Sequence, residues 1–409
     1  MEKHPRLSAA VELLKRLIAT PSPSRDESKT AEIWENWLRD MGAQNVGRQH
    51  NNVFAVSSSY DPFRPTLMLN SHHDTVKPAS SYTRNPYSPD IEDGKLYGLG
   101  SNDAGASGVS LASTFLDMKD RTDLPFNLIF AITAAEEVMG EHGMRAFLPY
   151  LEQLGMTPDM VIVGEPTGMQ AAVAERGLLV FDAETEGKSG HAARNEGVNA
   201  IYRAIEDIQA LRQWAPPLVS ETLGPIKVSI TMISAGTQHN VVPDLCKWVV
   251  DVRTTDAYSN EQTVELIRKA VKWSRLTPRS TRVHASVIPS DHPLVKGAES
   301  LGLKCFVSPT TSDMALMHGI QSLKIGPGES ARSHTADEYI EISEINEALH
   351  LYPRLIEAAG GFIELVAPLP ENILVLDSMS KFPYHASCIV DLHSGIPAFR
   401  ECVRPDYPG

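Results

Sequence analysis

The sequence predicts an α/β fold with a mixed sheet flanked by helices, interrupted by a smaller α+β unit. Three observations carry this. Short apolar runs recur at 66–69, 127–133, 160–163 and 323–325; each is too short for a helix and continuous enough for a strand buried on both faces. Helical stretches over 104–119 and 140–154 separate several of these runs, the alternation expected of a largely parallel sheet. Between 178 and 283 the texture changes: LLVFDAETEG, IKVSITMISAG and CKWVVDVRTT are β-rich, with helices near 197–213 and 260–274.

The elements follow in order. Ala10, Leu13, Leu14, Leu17 and Ile18 lie on one helical face over 8–19, and the turn TPSPS follows. A second helix runs through Trp34, Trp37 and Leu38, with Gly42 as its C-terminal stop. The strand and helix pattern then continues to about 175, gives way to an inserted unit over 176–284, resumes from 285 and closes with a helix over 342–358. Residues 361–409 are rich in Pro and Gly, carry one apolar run at 373–376, and are assigned no function.

Composition excludes several classes. The chain has 409 residues, 42% hydrophobic and 22% charged, with a net charge of -14. That is an ordinary globular composition with room for one to three domains. The acidity argues against nucleic-acid binding, which needs a basic stripe along phosphates. No apolar run reaches the 18 residues of a membrane span, and the N-terminus alternates charged and apolar positions instead of forming a signal peptide. A cytoplasmic protein is expected. Cys246, Cys305, Cys388 and Cys402 show no CxxC spacing, so neither a disulfide framework nor a cysteine–zinc site is expected.

Chemistry concentrates where the four runs end. NSHHDTV, AAEE, GEPT and GPGESARSHTADE follow them in turn, and functional groups of open α/β sheets gather beyond the carboxyl ends of strands. In HHD, strand alternation puts His72 and Asp74 on one side and His73 on the other; His72 is the expected metal ligand and Asp74 its support. Asp103 begins a helix after glycines, where it suits either an N-cap or a carboxylate bridging two cations roughly 3.5–4 Å apart. Glu136 and Glu137 would repel one another without compensation; in a metal site one ligates and the other moves a proton. Glu165 in GEPT and His334 in a Gly/Ser loop complete a set of two imidazoles and three carboxylates with His72, Asp103 and Glu137. Such mixed nitrogen and oxygen ligation suits zinc, cobalt or manganese.

These residues carry a resemblance. NSHHDTVKP, LYGLGSNDAGAS, AAEEVMG, VGEPT, KSGHAARNEGVNAI, AGTQHNVVPD, DVRTT and KIGPGESARSHTADEYI occur in the order found in the M20 metallopeptidase family, and the sequence resembles the acetylornithine deacetylase group within it over roughly residues 7–358. The resemblance implies a zinc-peptidase-like catalytic domain (1–175 plus 285–360) holding two divalent metals, zinc or cobalt. It implies a lid and homodimerisation domain over 176–284. It implies His72 and Glu165 on one metal, Glu137 and His334 on the other, Asp103 bridging, Asp74 supporting His72, and Glu136 as general base. In the lid, His191, Asn240 and Arg253 would reach substrate: His191 at the oxyanion, Arg253 at the α-carboxylate. Two positions depart from this scheme. His73 stands where relatives are often apolar, and Asp313 in PTTSDMALM has no derived role. The expected reaction is hydrolysis of an N-acyl amino acid. N-acetylornithine, in arginine biosynthesis, comes first; N-succinylornithine, N-acetylcitrulline, succinyl-diaminopimelate and dipeptides follow. A non-catalytic scaffold on the same fold is the rival reading, disfavoured because every metal and base position is filled.

Overall fold

The computed structural model describes residues 2–194 and 196–363, together with the backbone of three short strands beyond. Its first contact unit is Met1–Ile363 and its second Glu364–Gly409.

The four apolar runs form the centre of a nine-stranded sheet. Asn127–Thr133, Thr66–His72, Met160–Val163 and Gln321–Lys324 lie side by side and parallel, and the first three are buried throughout. The sheet is mixed because its flanks turn antiparallel. Asn45–Gln49 and Asn52–Val56 form a hairpin on one side, and Ala171–Glu175 pairs antiparallel with Gln321–Lys324 on the other. The expected run at 323–325 therefore begins two residues earlier. The hairpin and the strand Cys305–Ser308 escaped the sequence pattern, being short and at the sheet margin.

Period-two alternation splits the buried side chains between two cores. Leu67, Leu69, Leu128, Phe130, Ile132 and Ile162 face the helices Leu7–Ile18, Ser28–Asp40, Ala106–Met118 and Ile342–Gly360. Met68, Ile129, Ala131, Val161 and Val163 face the opposite layer, with Phe147 and Leu151 of the helix Met144–Gln153. Helices on both faces leave one exit for polar groups: the carboxyl edge of the parallel strands. Gly42 follows the second helix with a φ of 90°, in the left-handed region that glycine adopts without Cβ strain.

Residues 177–278 build a separate antiparallel sheet in the order Lys227–Ala235, Leu245–Thr254, Gly177–Glu186, Ser274–Pro278. It is backed by Ala200–Gln213 and Asn260–Ala270 and has its own core around Phe181, Trp248, Val250 and Ile267. The second of these helices ends four residues before the expected 274, because Val271 is already extended and Ser274 opens a strand.

Among the described residues, no helix is long and apolar enough to cross a membrane. The unit 364–409 contains an antiparallel sheet of Ile373–Leu376, Cys388–Asp391 and Pro397–Ala398. The apolar run noted at 373–376 is the first of these strands; Cys402 lies outside the described residues.

Candidate metal centre

The five proposed ligands, supplied by five distant segments, meet at the carboxyl edge of the sheet. Nε2 of His72 lies 3.2 Å from Oδ1 of Asp103 and 3.7 Å from Oε1 of Glu165. Nε2 of His334 lies 2.9 Å from Oε2 of Glu137 and 3.6 Å from Oδ2 of Asp103. Two three-residue groups result, His72–Asp103–Glu165 and Asp103–Glu137–His334, each with ligand atoms within 4.8 Å of one another. Asp103 belongs to both and turns a different oxygen toward each imidazole. Nitrogen and oxygen ligands bind zinc at about 2.0–2.2 Å, so atoms sharing one ion lie at such mutual separations. The donor set fits two cations.

The electrostatics agree. Burial opposes a charged His72, yet the Glu136, Asp103, Asp74 and Glu165 carboxylates hold its pKa well above the ordinary imidazole value. Burial also raises the acids: Glu165 is pushed up to about 8, with the Asp103 and Glu137 charges adding to the rise, and Glu136 is held well above the usual carboxylate range. Carboxylates crowded this closely around a cleft of about 400 Å³ hold protons in place of charge, a cost that divalent cations bound among them would relieve.

The backbone around these acids is held by further carboxylates. Asp74 accepts the Glu136 and Glu137 backbone N–H groups on separate oxygens, at 3.0 and 3.2 Å, and the Ser24 hydroxyl at 2.7 Å. Its carbonyl oxygen faces Nδ1 of His72 at 3.1 Å. Asp74 thus fixes the acidic pair as well as the imidazole, more than the spacing had suggested. Glu338 accepts the N–H groups of Gly100, Asn102 and Asp103 at 3.1, 2.8 and 2.9 Å. Glu27 accepts the Ala135 N–H at 3.1 Å, holding that residue at a φ of 54° immediately before Glu136. A non-glycine residue in this region is a strained arrangement typical of sites where geometry matters. Neither Glu27 nor Glu338 was singled out from sequence; nothing local marks a carboxylate whose partners lie more than a hundred residues away.

The N-cap alternative for Asp103 does not hold. Its φ and ψ are -116° and 99°, the following helix starts at Ala106, and no side chain caps it. His73 points away from the cluster, with Nδ1 against the Thr30 hydroxyl and Nε2 against the Asn51 carbonyl, both at 2.9 Å. Asp313 accepts the Thr133 hydroxyl at 2.7 Å beneath the strand that leads to Glu136.

Burial lowers the His73 pKa to about 4. The unfolded chain therefore takes up a proton near pH 6.5 that the folded chain refuses until about pH 4, and stability drains away as pH falls through that window, by roughly 3 kcal/mol at about 1.4 kcal/mol per unit. His73→Leu should flatten this acid limb in melts between pH 4 and 7 while leaving metal stoichiometry unchanged. A loss of bound metal in that variant would make His73 a ligand after all.

The inserted-unit residues are placed elsewhere. His191 and Asn240 are exposed and adjacent, the Ala192 N–H donating to the Asn240 carbonyl at 3.0 Å. Arg253 donates to both oxygens of Asp251, at 2.9 and 3.2 Å. None of the three lines the cleft.

The sequence profile of peptidase family M20/M25/M40 matches residues 68–358, a span that contains all five candidate ligand positions and the acidic pair. The chain belongs to this family. It is a metal-dependent amidohydrolase of the M20 type. It is 25% identical to succinyl-diaminopimelate desuccinylase 2 of Ruegeria sp. (strain TM1040), over 86% of this chain and 95% of that one. It is 27% identical to acetylornithine deacetylase of Proteus mirabilis (strain HI4320), over 86% and 97% respectively. The fold is shared with a dinuclear metal-binding M20 peptidase of Bacillus subtilis, with a TM-score of 0.66, 16% identity, and coverage of 87% of this chain and 99% of that one.

Proposed function

We propose that this M20 enzyme removes the acyl group from the α-nitrogen of an amino acid, with N-acetylornithine as first substrate and ornithine and acetate as products. The observation that carries the reading is Asp103 set between two imidazoles, with Glu136 beside one of them. Oε2 of Glu136 is 3.9 Å from Nε2 of His72, and Glu136 is in neither ligand group. His72 and Glu165 would hold one cation, Glu137 and His334 the other, and Asp103 both; zinc is the first choice and cobalt the second. Bound there, the pair supplies polarisation of the acyl carbonyl and lowers the pKa of the attacking water toward roughly 7.

Glu136 takes a proton from that water and returns it to the departing amine nitrogen, so one carboxylate serves as base and then acid. Asp74 keeps Glu136 and Glu137 at fixed positions through their backbone N–H groups. From the unit 176–284, acting as a lid, His191 would donate to the oxyanion, Asn240 would line the closed site, and Arg253 would exchange Asp251 for the substrate α-carboxylate. The likeness to an acetylornithine deacetylase and a succinyl-diaminopimelate desuccinylase supports the substrate class. The direct test is free-amine release from a panel of N-acyl amino acids and dipeptides with zinc or cobalt present. Cleavage of dipeptides alone would overturn the deacylase reading.

The same proposal includes a homodimer through the lid, in a cytoplasmic setting. Lys227–Ala235 is the edge of the four-stranded sheet, and it leaves Met232 65% and Ile233 56% exposed. An apolar strand edge is a template for pairing with a second copy. Ile233→Asp should convert a dimer to a monomer by light scattering, with a lower thermal midpoint that no longer depends on protein concentration. A wild-type protein that is monomeric at micromolar concentration would contradict this.

A further inference from the structure

One wall of the cleft is fastened by a buried ion pair. Lys324 ends the strand next to Val163, two residues before Glu165, and is 1% exposed; Glu175 is 0% exposed. Lys324 Nζ donates to Glu175 Oε2 at 2.7 Å and to the Thr310 carbonyl at 2.8 Å, with the Thr310 hydroxyl at 3.5 Å. Glu175 in turn accepts the Ser312 backbone N–H at 3.0 Å and its hydroxyl at 2.8 Å. The pair therefore ties two strands to the 308–313 segment, whose Ser308, Thr310 and Thr311 line the cleft. The far end of that segment is held by the Asp313–Thr133 contact at 2.7 Å.

Lys324 is also the only lysine or arginine among the described residues lining this cleft. An ammonium taken out of water is tolerated only when paired and hydrogen-bonded, and here its hydrogens are directed to Glu175 and Thr310. The wall consequently presents hydroxyls and no free positive charge. Glu329, a further carboxylate on the lining, is in neither ligand group. An acyl group ending in its own carboxylate would lose hydration there without gaining a cationic partner.

We propose that Lys324 and Glu175 together set acyl selectivity, pinning the hydroxyl wall and withholding the cleft's one ammonium, so that the enzyme takes a short uncharged acyl group and rejects one bearing a carboxylate. This rests on the deacylase reading above and names its acyl class.

The test compares N-acetyl and N-succinyl derivatives of one amino acid on zinc-loaded enzyme. Wild type should favour acetyl by at least about tenfold in kcat/KM, the scale of one unpaired polar group. Glu175→Gln keeps the shape and releases Lys324 toward the cleft; it should narrow the ratio by about fivefold or more, through a lower KM for the succinyl compound with kcat held. Lys324→Met, lacking the ammonium, should show no such narrowing. Equal wild-type rates, or a folded Glu175→Gln enzyme with an unchanged ratio, would overturn the proposal and leave deacylation standing. If neither compound is hydrolysed, deacylation fails, and calorimetry with acetate and succinate decides the pair's role. A gain in succinate affinity confined to Glu175→Gln supports it, and its absence overturns it.

Discussion

Glu136→Gln is expected to lower kcat by about 10²- to 10⁴-fold, the range for loss of a general acid–base, while metal content stays at two ions per chain. Three observations set this expectation. Glu136 stands outside both ligand groups. Its carboxylate nevertheless sits beside His72. Its backbone is fixed by Asp74 at 3.0 Å, so a change of side-chain chemistry need not move the loop. In the metal-free site, burial, assisted by the Glu165, Asp313 and Glu137 charges, raises its pKa. Gln matches the shape and cannot accept a proton. Single-turnover kinetics with metal analysis of the same sample separate the cases: turnover within a few-fold of wild type would remove Glu136 from the chemistry, and lost metal would make it a ligand.

The second large effect is expected at Asp103. Asp103→Ala removes a member from both ligand groups at once, so both ions should be lost and turnover should fall below detection. A change at Glu165 or His334 should weaken one ion more than the other. The variant also separates metal loss from unfolding. Wild type at a metal concentration 100 times its Kd gains about 2.7 kcal/mol of stability for each bound ion; both gains should vanish in Asp103→Ala. The metal-free variant, having lost a carboxylate partner of the buried His72, should melt lower than metal-free wild type, at a midpoint that zinc does not change. A variant that still gains stability with zinc would mean that Asp103 bridges nothing.

What the sequence disclosed follows from where the information is local. Strand alternation placed His72 and Asp74 on one side and His73 on the other, and the structure has that arrangement because the strand Thr66–His72 runs unbroken up to the pair. The four buried runs were legible as continuous apolar segments, and each is followed by its acids or imidazole. The helix-start reading of Asp103 was local as well, but misleading: glycines at 98 and 100 with φ of 139° and 77° bend the chain, leaving Asp103 extended and free to face the cluster.

The rest depended on distance. Glu338 reaches Asp103 across 235 positions, and no periodicity marks such a partner. Lys324 sits in a strand that reads as apolar, so its ion pair with Glu175 was invisible. His191, Asn240 and Arg253 were assigned through the family resemblance, and their distance from the cleft is set by how one unit stands against another. No window along the chain encodes that.

The most direct test is anomalous diffraction at the zinc edge from crystals of zinc-loaded protein. Two peaks are expected in the cluster, one among His72, Asp103 and Glu165 and one among Asp103, Glu137 and His334. An empty cluster in zinc-replete crystals, or zinc found only elsewhere on the molecule, would contradict the assignment on which the deacylase chemistry depends.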